Sequence, residues 1–461
     1  MKTTIFTGCA IMGFIGLCMA FAFYRPPQRW VVAQMNGMHG DSLSDATLLD
    51  SVEHATFLYF WKGAEPRSGM APERIHMDGV YPQHDRDVIA VGGSGFGIMA
   101  ILAGMHRGYI TRRQGFERIN RIVDFLARAD RFHGAWPHWL YPDGKVKPFS
   151  PKDDGGDIVE TAYLVQGLLC ARQYFLQGNA MEQQLARRID RLWKTVEWNW
   201  YQHGQQVLYW HWSPDYGWAM NFPIHGYNEC LIAYVLAASS PTHAIPASAY
   251  HQGWAEDGKI VAPSWHYGYE LQLHHQGDAA LGGPLFWAHY SYLGLDPHEL
   301  KDRYADYWKE NVDQTMINYL WCVHNPLHYR GYGPHNWGLT ASYSPNGYAA
   351  HAPGAQTDLG VISPTAAVSS IVYTPHQSMQ AIRYWFTTPQ LKDKIWGPYG
   401  FYDAFSETAN WFPPRYLAID QGPQVVMIEN YRSGLLWRLF MSCEEVQQGL
   451  KKLEFHFAKP E

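Results

Sequence analysis

The sequence predicts an all-α protein: a single (α/α)6 toroid, or barrel, with aromatic-rich loops and short hairpins at its cleft. Three observations predict it. First, six apolar runs of helix length each open on Gly or Pro, near Gly95, Gly156, Gly226, Gly283, Pro364 and Gly422, in steps of 61, 70, 57, 81 and 58 residues. Second, amphipathic stretches alternate with them, at Arg112–Arg128, Glu182–Trp198, Pro246–Trp254, His298–Leu320 and His376–Phe386. Helices apolar all round are buried and amphipathic ones lie outside them, so six such pairs closing on themselves make a ring. Third, the 461 residues are 47% hydrophobic, enough for one large core.

In chain order, Lys2 precedes an apolar run from Ile5 to Phe23 and then Tyr24-Arg-Pro-Pro. Residues 1–24 read as a signal peptide or signal anchor, and export to a periplasm-like space is expected, soluble or N-terminally anchored. Cys9 and Cys18 do not sit in a lipoprotein box. Residues 25–44 read as a polar linker, and 45–461 as the toroid. Its first helix, Leu48–Phe60, has Thr47 or Asp45 as candidate cap. A last helix, Cys443–Phe455, is expected outside the ring. Cys170, Cys230, Cys322 and Cys443 show no CxxC or zinc spacing and read as isolated buried thiols.

In such a ring the inner helices begin on one face, and the loops before them surround a funnel. Gly at those openings would let backbone and ligand approach closely. The funnel would collect Asp85 and Asp87, the 153–160 cluster, Glu229, Tyr290, the 351–363 loop and the 403–420 segment. Aromatic content is 15%, concentrated in loops such as 134–141, 208–218, 329–338 and 396–403. Trp136, Trp212, Tyr290 and Tyr402 are candidate platforms for a sugar face. The net charge of −6 argues against nucleic acid. Neutral sugars fit aromatic faces and carboxylates better. A monomer is expected.

Asp153, Asp157 and Glu160 flank Gly155-Gly156 at the mouth of the apolar run Leu164–Phe175. Asp157 and Glu160 also fit a capping box. Acids at a helix N-terminus hold their protons weakly, so this cluster suits hydroxyl binding rather than proton donation. No GxSxG, reactive-thiol or HExxH pattern occurs. What remains is a carboxylate pair acting as general acid and general base. Glu229 is a lone acid in His225-Gly-Tyr-Asn-Glu-Cys-Leu-Ile, where desolvation would keep it protonated, although it also fits a first-turn dipole partner behind Asn228. Asp420 in Leu417-Ala-Ile-Asp-Gln-Gly is the first candidate for the base and Asp403 the second. Glu429 reads as a buried structural acid.

The runs HGYNECLIAYVLAASSPTHAI, GGPLFWAHYSYLGLDP, GPYGFYDAFSE and LAIDQGPQVVMIENYRSGLLW resemble the bacterial glucoamylase-like family, which includes the β-1,2-glucanases of glycoside hydrolase family 144. The resemblance spans nearly all of the chain after its N-terminal segment. It implies an (α/α)6 barrel, no metal or cofactor, and hydrolysis of β-1,2-glucan or sophoro-oligosaccharides with inversion, by endo or exo action. It places the family's acidic cluster on Asp153, Asp157 and Glu160, a further essential acid on Glu229, and a base that works through a relayed water. The alternatives are another glucan hydrolase or a lyase on the same fold, or a non-catalytic glycan-binding protein.

Overall fold

The computed structural model describes residues 43–277 and 280–458. The signal and most of the linker expected over 1–44 lie outside them. The described residues are predominantly helical. Thirteen α-helices follow in order: α1 Asp45–Trp61, α2 Val91–Arg107, α3 Arg112–Leu126, α4 Ile158–Phe175, α5 Ala180–Lys194, α6 Leu231–Ser239, α7 Tyr307–His324, α8 Pro364–Ser369, α9 Pro375–Thr387, α10 Pro389–Ile395, α11 Ala418–Ser433, α12 Leu435–Met441 and α13 Glu444–Lys452. None of the described helices is long and apolar enough to cross a membrane.

The split into buried and amphipathic helices is the one the periodicity implies. Every residue of α2 from Val91 to Met105 is buried, and so is nearly all of α4. α3 and α5 bury one face each and start on complete capping boxes, Thr111 with Gln114 and Asn179 with Glu182. α2 packs against both α4 and α11, α4 against α6, and α11 against α8. α1 lies against α11 and α2, and its cap is Ser44, whose side chain accepts from the Thr47 N–H, rather than Thr47 or Asp45.

Glycine serves this packing more than any ligand. A Cβ on Gly95 would come within 2.2 Å of the Tyr163 carbonyl oxygen, and one on Gly167 within 2.1 Å of the Gly95 carbonyl oxygen. The two backbones meet there, which corrects the expectation that glycine at the helix openings makes room for substrate.

Two expected α-helices are absent. The run from Gly283 forms two 3-10 turns, Leu285–Ala288 and Tyr290–Leu293. Side-chain donors from elsewhere take its carbonyls: Tyr373 at Ala288, Gln166 at Tyr290, Trp437 at Tyr292 and Asn430 at Leu293. Those carbonyls are thereby satisfied without an α-helical ladder. The weak candidate at Pro246–Trp254 is a single π-helical turn over Ala249–Trp254. α7 starts at Tyr307 rather than His298, because Asp302 caps the Tyr304 and Ala305 N–H groups and Asp306 then opens the helix.

Short strands guide the chain into the inner helices. Ile89–Ala90 precedes α2, Gly156–Asp157 precedes α4, and Arg415–Leu417 precedes α11. They pair antiparallel with Trp139–Leu140, His211–Trp212 and Arg74–His76 respectively. These pairings fix the side chains at the helix entrances, and the cavity lies there.

Candidate active site

A cavity of about 400 Å³ opens at these helix entrances, a size typical of small-ligand sites. Four carboxyl groups line it: Glu73, Asp85, Glu160 and Glu229. Arg74 and His138 supply further polar lining. The aromatic walls are Trp139, Phe149, Tyr163, Trp210, Phe286 and Tyr290, with Tyr343 and Tyr348 from the hairpin of Ala341–Ser344 and Gly347–Ala350.

Glu229 stands just ahead of α6, not within it. Asn228 fixes this entrance: its Oδ1 accepts from the Cys230 N–H (2.8 Å) and its Nδ2 donates to Gln276. Ser291 and Tyr163 both donate to the Glu229 carbonyl. The Glu229 Oε2 is buried with no hydrogen-bond partner among the described residues. Burial raises its pKa to about 7, and the Asp157 charge pushes the same way. A carboxyl that keeps its proton near neutrality and faces a cavity is equipped to donate it.

Asp403 and Asp420 sit close behind the tyrosine wall. The Asp403 Oδ2 accepts from the Tyr343 N–H (2.8 Å), and the Tyr290 hydroxyl donates to Asp420 Oδ1 (3.4 Å). The remaining oxygen of each is buried and unpaired among the described residues. Burial raises Asp403 to about 6. Burial, then the Asp403 charge, raises Asp420 well above the usual range. Two buried carboxyls close enough to hydrogen-bond each other titrate as a unit rather than one by one. The two rival candidates for the base are therefore one dyad.

The acidic cluster divides. Glu160 lines the cavity, and its Oε2 accepts from the Gly92 N–H (2.7 Å), so it does not return to close a capping box. A Cβ on Gly92 would sit 2.4 Å from that oxygen. Burial raises Glu160 to about 8, with the Asp157 charge adding to it against the pull of His138. Asp157 is fully buried at the N-cap of α4. Its Oδ1 takes the Val159 and Glu160 N–H groups (both 2.9 Å), and its Oδ2 takes Trp210 Nε1 (3.1 Å). Burial pushes Asp157 up, but His211, His138 and the Glu160 N–H outweigh it, and its pKa is lowered. Asp153 is buried 3.2 Å from His211 Nδ1. Neither aspartate lines the cavity. Both stand behind His138, which does.

Of the aromatic candidates, the cavity takes Tyr290 alone. Trp136 is fully enclosed, its Nε1 on the Leu126 carbonyl and Arg131 over its ring. Trp212 packs on His133 and Trp200, and Tyr402 on Tyr416. Glu429 is buried in an ion pair with Arg107, as a structural acid should be. Asp87 does not line the cavity, whereas Asp85 does. Sequence reasoning missed Glu73, His138 and Trp210. Glu73 carried no signal in its surroundings. The other two lie in quoted loops, where only strand register decides which ring faces inward. His138, Asp153 and Asp157 could bring one ligand atom each within 4.8 Å for a metal ion.

A helical scaffold whose cleft is lined by a proton-holding carboxyl and aromatic walls, with two buried carboxyls behind those walls, is that of an acid/base glycosidase-type protein. The chain belongs to the glucoamylase-like family of glycoside hydrolase family 144 type. The family model described as "Putative glucoamylase" matches residues 221–444. A solved endo-β-1,2-glucanase from Chitinophaga pinensis, in complex with sophorotriose and glucose, is 64% identical, with a TM-score of 0.89 over 90% of this chain and 99% of that one. A solved "putative glucoamylase" from Bacteroides caccae is 63% identical, with a TM-score of 0.88 over 90% and 100%. An exo β-1,2-glucooligosaccharide sophorohydrolase (non-reducing end) from Parabacteroides distasonis is 46% identical over 89% of this chain. The chain spans 58% of that relative's length.

Proposed function

We propose that this protein is an inverting glycoside hydrolase that cleaves β-1,2-glucan or sophoro-oligosaccharides, with residues 45–461 folded as one (α/α)6 toroid. One observation carries the mechanism. Glu229, a proton-holding carboxyl with one unpaired oxygen, lines the cavity, and the Asp403–Asp420 pair stands behind its tyrosine wall, held by Tyr343 and Tyr290. Glu229 donates its proton to the glycosidic oxygen as that bond breaks. The dyad takes a proton from the water that attacks the anomeric carbon from the opposite face. The water adds hydroxyl to the new reducing end, Glu229 ends ionised and the dyad ends protonated, so charge and atoms balance. Because the dyad lies behind Tyr290 and Tyr343, its proton arrives through a relayed water or hydroxyl.

The substrate class rests on the two named relatives that act on β-1,2-linked glucose. Export through residues 1–24 belongs to the same proposal. The test is product analysis with linear β-1,2-glucan beside β-1,3- and β-1,4-glucans. Release of sophoro-oligosaccharides or sophorose from the first alone is expected. No release from any, or release from another linkage only, would sink the reading.

A further inference from the structure

We propose that His138, rather than the aspartates around it, grips the glycan at its wall of the cavity, and that Asp153 and Asp157 act through it as positioning residues. The inference rests on the glycosidase reading above and deepens it.

The two aspartates have nothing left to offer a sugar. Asp157 is fully buried, with two backbone N–H groups on one oxygen and the Trp210 indole on the other. The His138 Nδ1 stands 3.2 Å from that second oxygen and 3.7 Å from Asp153 Oδ2. Asp153 turns its other oxygen to His211. Buried carboxylates need a counter-charge, and His138 supplies it from the cavity side.

The His138 ring is held by aromatic neighbours and by the carboxylates at its Nδ1. It stacks on Phe149 (centroids 4.1 Å, planes 16° apart) and meets Trp139 edge-on. Its own carbonyl accepts the Val91 N–H at the start of α2, which fixes the backbone. Nδ1 is buried, whereas the side chain as a whole keeps 22% exposure and lines the cavity. The open edge is therefore the one carrying Nε2. That atom makes no hydrogen bond among the described residues and lies 3.8 Å from Glu160 Oε1. The titratable groups facing the ring are Asp153 and Asp157 before α4, Glu160 in its first turn, and Glu73, which lines the same cavity. The carboxylates hold the imidazole protonated, its pKa raised to about 10 against the opposing effect of burial. A protonated imidazole presents Nε2–H as a charge-assisted donor to a glucose hydroxyl. Asp157 also fixes Trp210, the aromatic wall beside it, so one buried carboxylate orients both a donor and a stacking face.

The test uses full-length protein carrying Glu229→Gln as a binding trap and a β-1,2-linked glucose tetramer as probe, titrated calorimetrically. His138→Phe, which keeps a ring against Phe149 and removes the donor, is expected to weaken binding about 10- to 100-fold. His138→Gln, which keeps an N–H without the charge, is expected to recover part of that loss. Asp157→Asn is expected to weaken binding by a similar factor, and the Asp157→Asn/His138→Phe double variant no further than His138→Phe alone. Binding by His138→Phe within about twofold of the parent, while wild type cleaves the glucan, would overturn the inference and leave the function standing. Fully additive losses would overturn the positioning role. One tightly held metal ion per chain whose chelation abolishes binding would also overturn it, because His138 would then be a ligand. A wild type that neither cleaves nor binds the tetramer would overturn the functional reading itself.

Discussion

Activity should follow a narrow bell against pH, and each limb has an owner. Burial lifts Glu229 to about 7, and a general acid works only while protonated. Turnover is therefore lost as pH rises through about 7. Burial lifts Asp403 to about 6, and burial together with the Asp403 charge raises Asp420 as well. The base works only while the dyad carries its negative charge, so turnover is lost as pH falls through about 6. The optimum lies between, and at pH 9 the acid alone should cost roughly 100-fold, two pH units above its limb. Glu229→Gln should cost about 10²- to 10⁴-fold and abolish the alkaline limb of whatever activity remains. The assay is initial rate of reducing-end release from β-1,2-glucan, measured as kcat/KM from pH 4 to 9 for both proteins. An alkaline limb near 7 that survives in Glu229→Gln would refute the assignment of the acid.

Other perturbations separate scaffold from site. Gly95→Ala should cost about 1–3 kcal/mol, read as a lowered Tm, because its Cβ would strike the α4 backbone at Tyr163 and Leu164. An unchanged Tm would mean that α2 and α4 can move apart freely. Arg107 pairs with Glu429, and Glu53 lies beside them with its pKa raised by burial and by Glu429. Arg107→Ala should cost about 3–5 kcal/mol at pH 8. A carboxyl with a raised folded pKa is neutral at low pH and loses stability as pH rises, so the loss in urea midpoint should shrink towards pH 5. An equal loss at both pH values would contradict the pairing. Tyr348 is exposed on the second strand of its hairpin, opposite Tyr343, and still lines the cavity. Tyr348→Ala should lower kcat/KM about 3- to 10-fold and shift the chromatographic product pattern. An unchanged profile would remove the hairpin from substrate binding.

Long periodic helices were readable because their burial follows their own residues. α2 and α4 are apolar almost all round, and α3, α5 and α9 show one apolar face. The 285–293 segment was not readable, because its carbonyls are taken by side chains more than a hundred residues away in three of four cases. The site divides the same way. Glu229 could be singled out because a lone acid among apolar and aromatic neighbours is informative by itself. The pair could not, since nothing local to Asp403 or Asp420 tells that their side chains meet. Within residues 134–141, Trp136 is sealed in the core while His138 and Trp139 line the cavity. The pairing of Trp139–Leu140 with Ile89–Ala90 sets that choice, and it is a tertiary fact.

The central claim is that Glu229 and the Asp403–Asp420 dyad hydrolyse β-1,2-glucan by direct displacement with water. Proton NMR of the first turnovers on linear β-1,2-glucan reads it most directly, through the anomeric configuration of the newly released reducing end. The account predicts the α-anomer first, with slow mutarotation to the β form, and none of it from Glu229→Gln on the same timescale. The β-anomer first would mean retention through a covalent intermediate, and no new reducing end would mean that the cavity serves another chemistry.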